Sequence, residues 1–193
     1  MTENNPALEK FLNTCQTEFQ FLITDFGFKE FYGLREAFDN PFKFYFVRDD
    51  LEISIEGIHY GSAAMVLLTD KKHRVLGVRD LDPQFDPFDK KDGKSLQKST
   101  GQTDDIVHEA RLLLKHGREL LNGDFLVFER AFARKGQAWA GYGKRRAFGI
   151  AVQEAVAAYN EGRWQVVVDL LEPHEPNLSK KMAKKLVFAR TQL

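Results

Sequence analysis

The chain has 193 residues, 43% of them hydrophobic and 29% charged, with Lys+Arg and Asp+Glu balanced at 28 each. This is ordinary globular usage, and the zero net charge argues against a dedicated nucleic-acid binder, whose signature is a basic excess. The single cysteine, Cys15, allows no internal disulfide; the polar start MTENNPALEK is not a signal peptide, and the longest apolar run, Ala63 to Leu68, is too short for a membrane.

These features predict a cytoplasmic protein with no membrane association. Seventeen phenylalanines predict a core that is largely aromatic. Cys15, set among Phe11, Leu12, Phe19 and Leu22, reads as a buried structural thiol.

Leu8, Phe11, Leu12, Cys15, Phe19, Leu22 and Ile23 recur at helical spacing and predict an amphipathic helix over about Pro6 to Asp25, ended by Gly27. The period then drops to two. Phe42, Phe44 and Phe46 alternate with Lys43, Tyr45 and Val47, and Leu51, Ile53 and Ile55 alternate with Glu52, Ser54 and Glu56. Two further strands follow, over about Ser62 to Thr69 and Arg74 to Asp80. The short connections favour an antiparallel meander, and a helix on a meander makes a two-layer α+β unit. A long polar loop covers 81–102.

From Thr103, a plausible N-cap, the pattern is helical. An apolar stripe of Ile106, Val107, Ala110, Leu113, Leu114 and Leu121 ends at Asn122-Gly123. Asp124 can cap a second helix carrying Phe125, Phe128 and Phe132, closed by Gly136. Gln137 to Lys144 reads as a loop, and a third helix follows over about Arg145 to Glu161. Gly162 separates it from a fourth with Trp164, Val167, Val168 and Leu171; a fifth starts near Ser179. The predicted class is thus α+β. An N-terminal helix packs on a four-stranded antiparallel meander, followed by a C-terminal bundle of about five helices. The predicted units are 1–102 and 103–193, docked as one compact structure.

Charge is unevenly spread. Residues 1–60 carry 11 acids and 5 bases, 61–132 carry 12 of each, and 133–193 carry 5 acids and 11 bases. The ends can attract one another or face separate partners.

No fragment completes a catalytic motif. His108-Glu109 opens like the zinc-protease sequence H-E-x-x-H, but the second histidine position is Leu112. Gly93-Lys94-Ser95 resembles the end of a phosphate-binding loop, but Phe88 stands where its first glycine belongs. The acidic loop from Asp80 to Asp92 lacks calcium-loop spacing, and its lysines oppose a cation. No serine lies in a nucleophile elbow. The sequence therefore predicts no catalytic residue, metal site or cofactor.

Two surface signals remain. One is Trp139, Tyr142, Lys144, Arg145 and Arg146, which combine the aromatic and arginine side chains that interface hot spots use. The same mixture suits stacking on single-stranded nucleic acid. The other is Phe188, which falls among Lys180, Lys181, Lys184 and Lys185 on the last helix. The segment AVAAYNEGRWQVVVDLL resembles a single tetratricopeptide-like helical hairpin, from Ala155 to about Ala189. The whole layout resembles small bacterial α+β proteins of toxin-immunity type. That resemblance implies a non-enzymatic protein-interaction module that neutralises a toxin. The alternatives are a small-molecule binder or enzyme with a site between the sheet and helical halves, and nucleic-acid binding through the basic C-terminal third.

Overall fold

The computed structural model describes residues 5–32, 40–58, 62–88 and 101–193. Gly93-Lys94-Ser95, Asp89 and Asp92 of the acidic loop, and Ser99 lie outside the described residues.

The chain is α+β, with one antiparallel sheet and a helical remainder. Helix α1 (Pro6–Glu18) is capped by Asn5, whose side chain accepts from the Ala7 and Leu8 amides. The predicted helix is interrupted at Phe19, and α2 (Gln20–Thr24) resumes it. The interruption sets the Phe19 ring against Phe46, centroids 5.9 Å apart. Gly27 then takes the left-handed backbone (φ +71°) that the turn out of the helix requires.

Among the described residues the sheet has five strands, in the order β1 (Lys29–Phe31), β2 (Lys43–Arg48), β3 (Leu51–Ile58), β4 (Ala63–Asp70) and β5 (Val75–Gly77). The four predicted strands are all present as a meander. The fifth, β1, adds an edge that the sequence reading did not include, so the count of four is corrected. All three β1 residues are exposed, so no alternation marks the strand. The last predicted strand is also shorter than expected, because 78–81 forms a 3-10 turn.

The pairing register explains the alternation. Phe46, Ile53, Leu68 and Leu76 form one row across β2 to β5, and Phe44, Ile55 and Val66 form the next. All seven are buried in one core with Phe11, Cys15, Phe19 and Leu22. Helix α3 (Gln102–His116) completes that core with Ile106, Ala110 and Leu113. Thr103 lies inside α3, one residue past its first, and is not the cap. Asp105 beside it accepts from the Ala64 amide and ties the helix to β4. Gly117 ends α3; α4 (Arg118–Leu121) follows, and Gly123 (φ +95°) makes the next turn.

The largest departure from expectation is α5 (Leu126–Asn160), one helix of 35 residues. The predicted break at Gly136 and the loop over 137–144 do not exist. Gly136, Gly141, Gly143 and Gly149 are absent from the positive-φ residues. The residues around them (Ala, Gln, Lys, Arg) favour helix, and no proline interrupts the run. Asp124 still caps the start, accepting from the Leu126 amide at 3.0 Å.

Two compact units divide at Gly136/Gln137. The first holds the sheet, α1 to α4 and the opening turns of α5. There Arg74 donates to Asp70 and to both oxygens of Glu129, and its guanidinium lies over the Phe128 and Phe132 rings. Those bonds hold the carboxyl of Glu129 below its ordinary range and raise that of the guanidinium. The second unit is formed by the end of α5, α6 (Trp164–Leu171) and α7 (Lys180–Arg190), with a 3-10 segment at Glu172–Asn177. Its core is Ala155, Ala158, Val167, Val168, Leu171, Met182, Leu186 and Ala189. Gly162 (φ +71°) makes the hairpin turn, and Ser179 caps α7 by accepting from the Met182 amide. Arg190 donates to Glu172 and Glu175 and closes the far end.

Candidate functional site

Trp139, Tyr142, Lys144, Arg145 and Arg146 all lie on α5, within the second unit. They belong to a helix face and not to a loop, so helical geometry decides which of them act together. At about 100° per residue, positions 139, 142, 146 and 150 fall on one side of the helix. Lys144 falls on the opposite side, and Arg145 on the flank between. Trp139 is 55% exposed, Tyr142 36% and Ile150 46%. The Trp139 and Tyr142 rings meet edge to face, with centroids 6.2 Å apart. The unit's core-facing residues, Phe148, Val152, Ala155 and Tyr159, take the other side of the helix. Trp139, Tyr142, Arg146 and Ile150 therefore form one stripe directed away from that core.

The loop predicted over 137–144 separates Ile150 from Trp139 and Tyr142 and so hides that it shares their face. Continued helical spacing from Trp139 would have found it. A second missed signal is electrostatic. Between Glu129 and Glu154, residues 130–153 carry six cations (Arg130, Arg134, Lys135, Lys144, Arg145, Arg146) and no acid. Among the described residues, no hydrogen bond or ion pair engages Lys144, Arg145 or Arg146. Three uncompensated charges within about one turn raise a positive potential that an acidic surface relieves.

Phe188 is placed elsewhere. Its ring contacts Tyr159 at 5.8 Å and Trp164 at 5.5 Å, and Lys185 Nζ sits 3.4 Å from the centroid of the Tyr159 ring. Tyr159 is roughly 25 Å along the helix axis from Tyr142, at 1.5 Å per residue. Phe188 is thus partly exposed but belongs to an aromatic cluster that closes the helical hairpin.

Glu109, from the incomplete zinc motif, is buried and accepts from Arg79 Nε at 2.7 Å. Cys15 is fully buried, and burial pushes its thiol far up, which disfavours the thiolate that reactive cysteines need. Among the described residues, no three His, Cys, Asp or Glu side chains gather as metal ligands, and no helix is long and apolar enough to cross a membrane. No protein-family model matches the chain, and no curated protein or solved structure is measurably similar to it.

Proposed function

We propose that this chain is a non-enzymatic interaction module that binds an acidic protein partner through the outward stripe of α5. The observation that carries the reading is the stripe itself. Trp139, Tyr142, Arg146 and Ile150 share one helix face inside a stretch of six cations and no acid. Trp, Tyr and Arg are the residue types that dominate interface energetics, and a rigid helix presents them at low entropic cost. Ile150 favours a protein over a nucleic acid, because an aliphatic side chain among the aromatics fits an apolar pocket and not a base stack. The layout resemblance to toxin-immunity proteins suggests a toxin as the partner, with neutralisation as the outcome.

The test is affinity capture from the native host, followed by titration of the recovered partner. A stoichiometric protein with an acidic surface is expected, and Trp139→Ala/Arg146→Ala should weaken its binding about thirtyfold, the scale of one hot spot. Lys144→Ala, on the far side of the helix, should change affinity less than threefold. Equal affinity in the double variant refutes the assignment of the stripe. A gel shift with single-stranded oligonucleotides at low salt, abolished by the same double variant, would replace the protein partner with a nucleic acid.

A further inference from the structure

The first unit contains a cavity that the partner-binding reading does not use. Its volume is about 450 Å³, within the range of small-molecule sites. Four permanent cations line it: Lys115, Arg118, Arg130 and Arg134. They come from the end of α3, from α4 and from the first turns of α5, so three separate elements converge on one space. Glu119 also lines it, while Leu81, Pro83 and Val127 supply an apolar wall.

The charge of this cavity is not balanced by its surroundings. Among the described residues, no hydrogen bond or ion pair engages the side chains of Lys115, Arg118 or Arg130. Arg134 is held in place by donating through Nη2 to the carbonyl oxygens of Asp80 and Leu81. The Asp80 carboxylate nearby is already taken by Lys135 at 2.8 Å and by the Gly77 amide at 2.8 Å. Asp82 accepts from the Gln84 amide and sets its other oxygen 3.7 Å from His116 Nε2. Counting Glu119 and Asp82 against the four cations leaves two positive charges. His116 adds a second observation. It lines the same cavity, and its Nε2 is enclosed without a hydrogen-bond partner. Asp82 Oδ2, 3.7 Å away, is beyond hydrogen-bond distance of it, and a polar ligand in the cavity would supply that bond.

We propose that this cavity binds a small phosphorylated molecule, its phosphoryl group held by Arg118, Arg130, Arg134 and Lys115 and its apolar part against Leu81, Pro83 and Val127. A phosphoryl dianion matches the two unbalanced charges, and the guanidinium fork matches its oxygens. A monocarboxylate would neutralise half of that charge. Arg130 and Arg134 belong to the same cation-rich run as the α5 stripe, but the cavity is lined by none of Trp139, Tyr142, Arg146 and Ile150, so either assignment can fail alone.

Isothermal titration with phenyl phosphate, inorganic phosphate, and sodium chloride at matched ionic strength tests the proposal. Phenyl phosphate should bind saturably and more tightly than inorganic phosphate, and chloride should give no saturable heat. Arg118→Gln/Arg130→Gln, two exposed positions, should weaken phenyl phosphate binding at least tenfold. Trp139→Ala/Arg146→Ala should leave it unchanged. If the Gln variant does not fold, amide NMR shifts of the native protein serve instead, and phenyl phosphate must perturb Lys115–Asn122 and Val127–Arg134. Heat no greater than that of chloride overturns the site. So does undiminished binding in the folded Gln variant, or a shift pattern centred elsewhere. Phenyl phosphate binding no tighter than inorganic phosphate overturns the organic ligand.

Discussion

Replacing Arg79 with Met strips a buried carboxylate of its counter-charge. Glu109 is 5% exposed, and Arg79 Nε donates to its Oε1 at 2.7 Å. Removing one partner of a buried pair costs about 3–5 kcal/mol, because the other charge is left in a poor solvent. Arg79 keeps 22% of its side chain exposed, so water reaches the pair and the lower end, about 3 kcal/mol, is expected. The loss also depends on pH. Burial raises the Glu109 carboxyl above its ordinary range, and the Arg79 bond and charge only partly oppose it. A folded-state value above the unfolded one, about 4.3, means that ionised Glu109 opposes folding. That cost is absent below the unfolded value and develops as pH rises through the folded one. Without Arg79 it is larger, so the Arg79→Met deficit should be greatest at pH 7–8 and shrink as pH falls toward the ordinary carboxylate range, because protonation of Glu109 removes the need for a cation. Glu109→Gln keeps an acceptor for Arg79 and removes the ionisation cost, so its stability should stay within about 1 kcal/mol of the native protein. The double variant should recover about 2 kcal/mol of the Arg79→Met loss. The assay is urea denaturation read by hydrogen exchange of β3 and β4 peptides. Tryptophan fluorescence is unsuitable, since Trp139 and Trp164 both lie in the second unit. A deficit under 1 kcal/mol, or one equal at pH 4.5 and pH 8, refutes the reasoning.

Two further variants test the backbone. A Cβ at Gly136, Gly143 or Gly149 meets nothing within 4 Å. Changing all three to Ala should stabilise the chain by about 0.5–1 kcal/mol each and strengthen the helical circular dichroism signal. A neutral or destabilising result would mean that 137–144 needs glycine as a loop does. At Gly57 the opposite holds, since a Cβ would stand 2.7 Å from the Phe42 Cβ and closer still to Gln102 Nε2. Gly57→Ala should cost about 1–3 kcal/mol in urea denaturation, because the Phe42 Cβ is fixed to its backbone and cannot swing away. An unchanged midpoint would show that this end of β3 gives way freely.

The sheet was legible because its residues obey two constraints at once. Phe44, Phe46, Ile53 and Ile55 stand at alternate positions, are all fully buried and pair with one another, so local period and sheet register agree. β1 obeys neither constraint. It is three residues long, exposed throughout, and pairs in the sheet with β2, a long-range fact that no local pattern carries. The hairpin of the second unit was legible for the same reason as the sheet. Gly162 takes the left-handed backbone that its turn demands, and Val167, Val168 and Leu171 meet Ala155 and Ala158.

Helix α5 failed to show because its middle is helical for non-local reasons. Isolated, the run from Gly136 to Gly149 is weak helix despite its Ala, Gln, Lys and Arg, since each glycine costs about 1 kcal/mol relative to alanine. In the fold, Phe128 and Ala131 are buried in one core and Ala155 and Ala158 in the other. Packing therefore supplies the nucleus at both ends, and the middle need only propagate between them, which is the inexpensive part of helix formation. The same circumstance gives the site its character. Neither core includes Trp139, Tyr142 or Ile150, although burying such side chains is the usual source of their stabilisation. Large apolar side chains kept on the outer face of a helix, among six cations and no acid, leave apolar area and charge that an acidic partner surface can satisfy together.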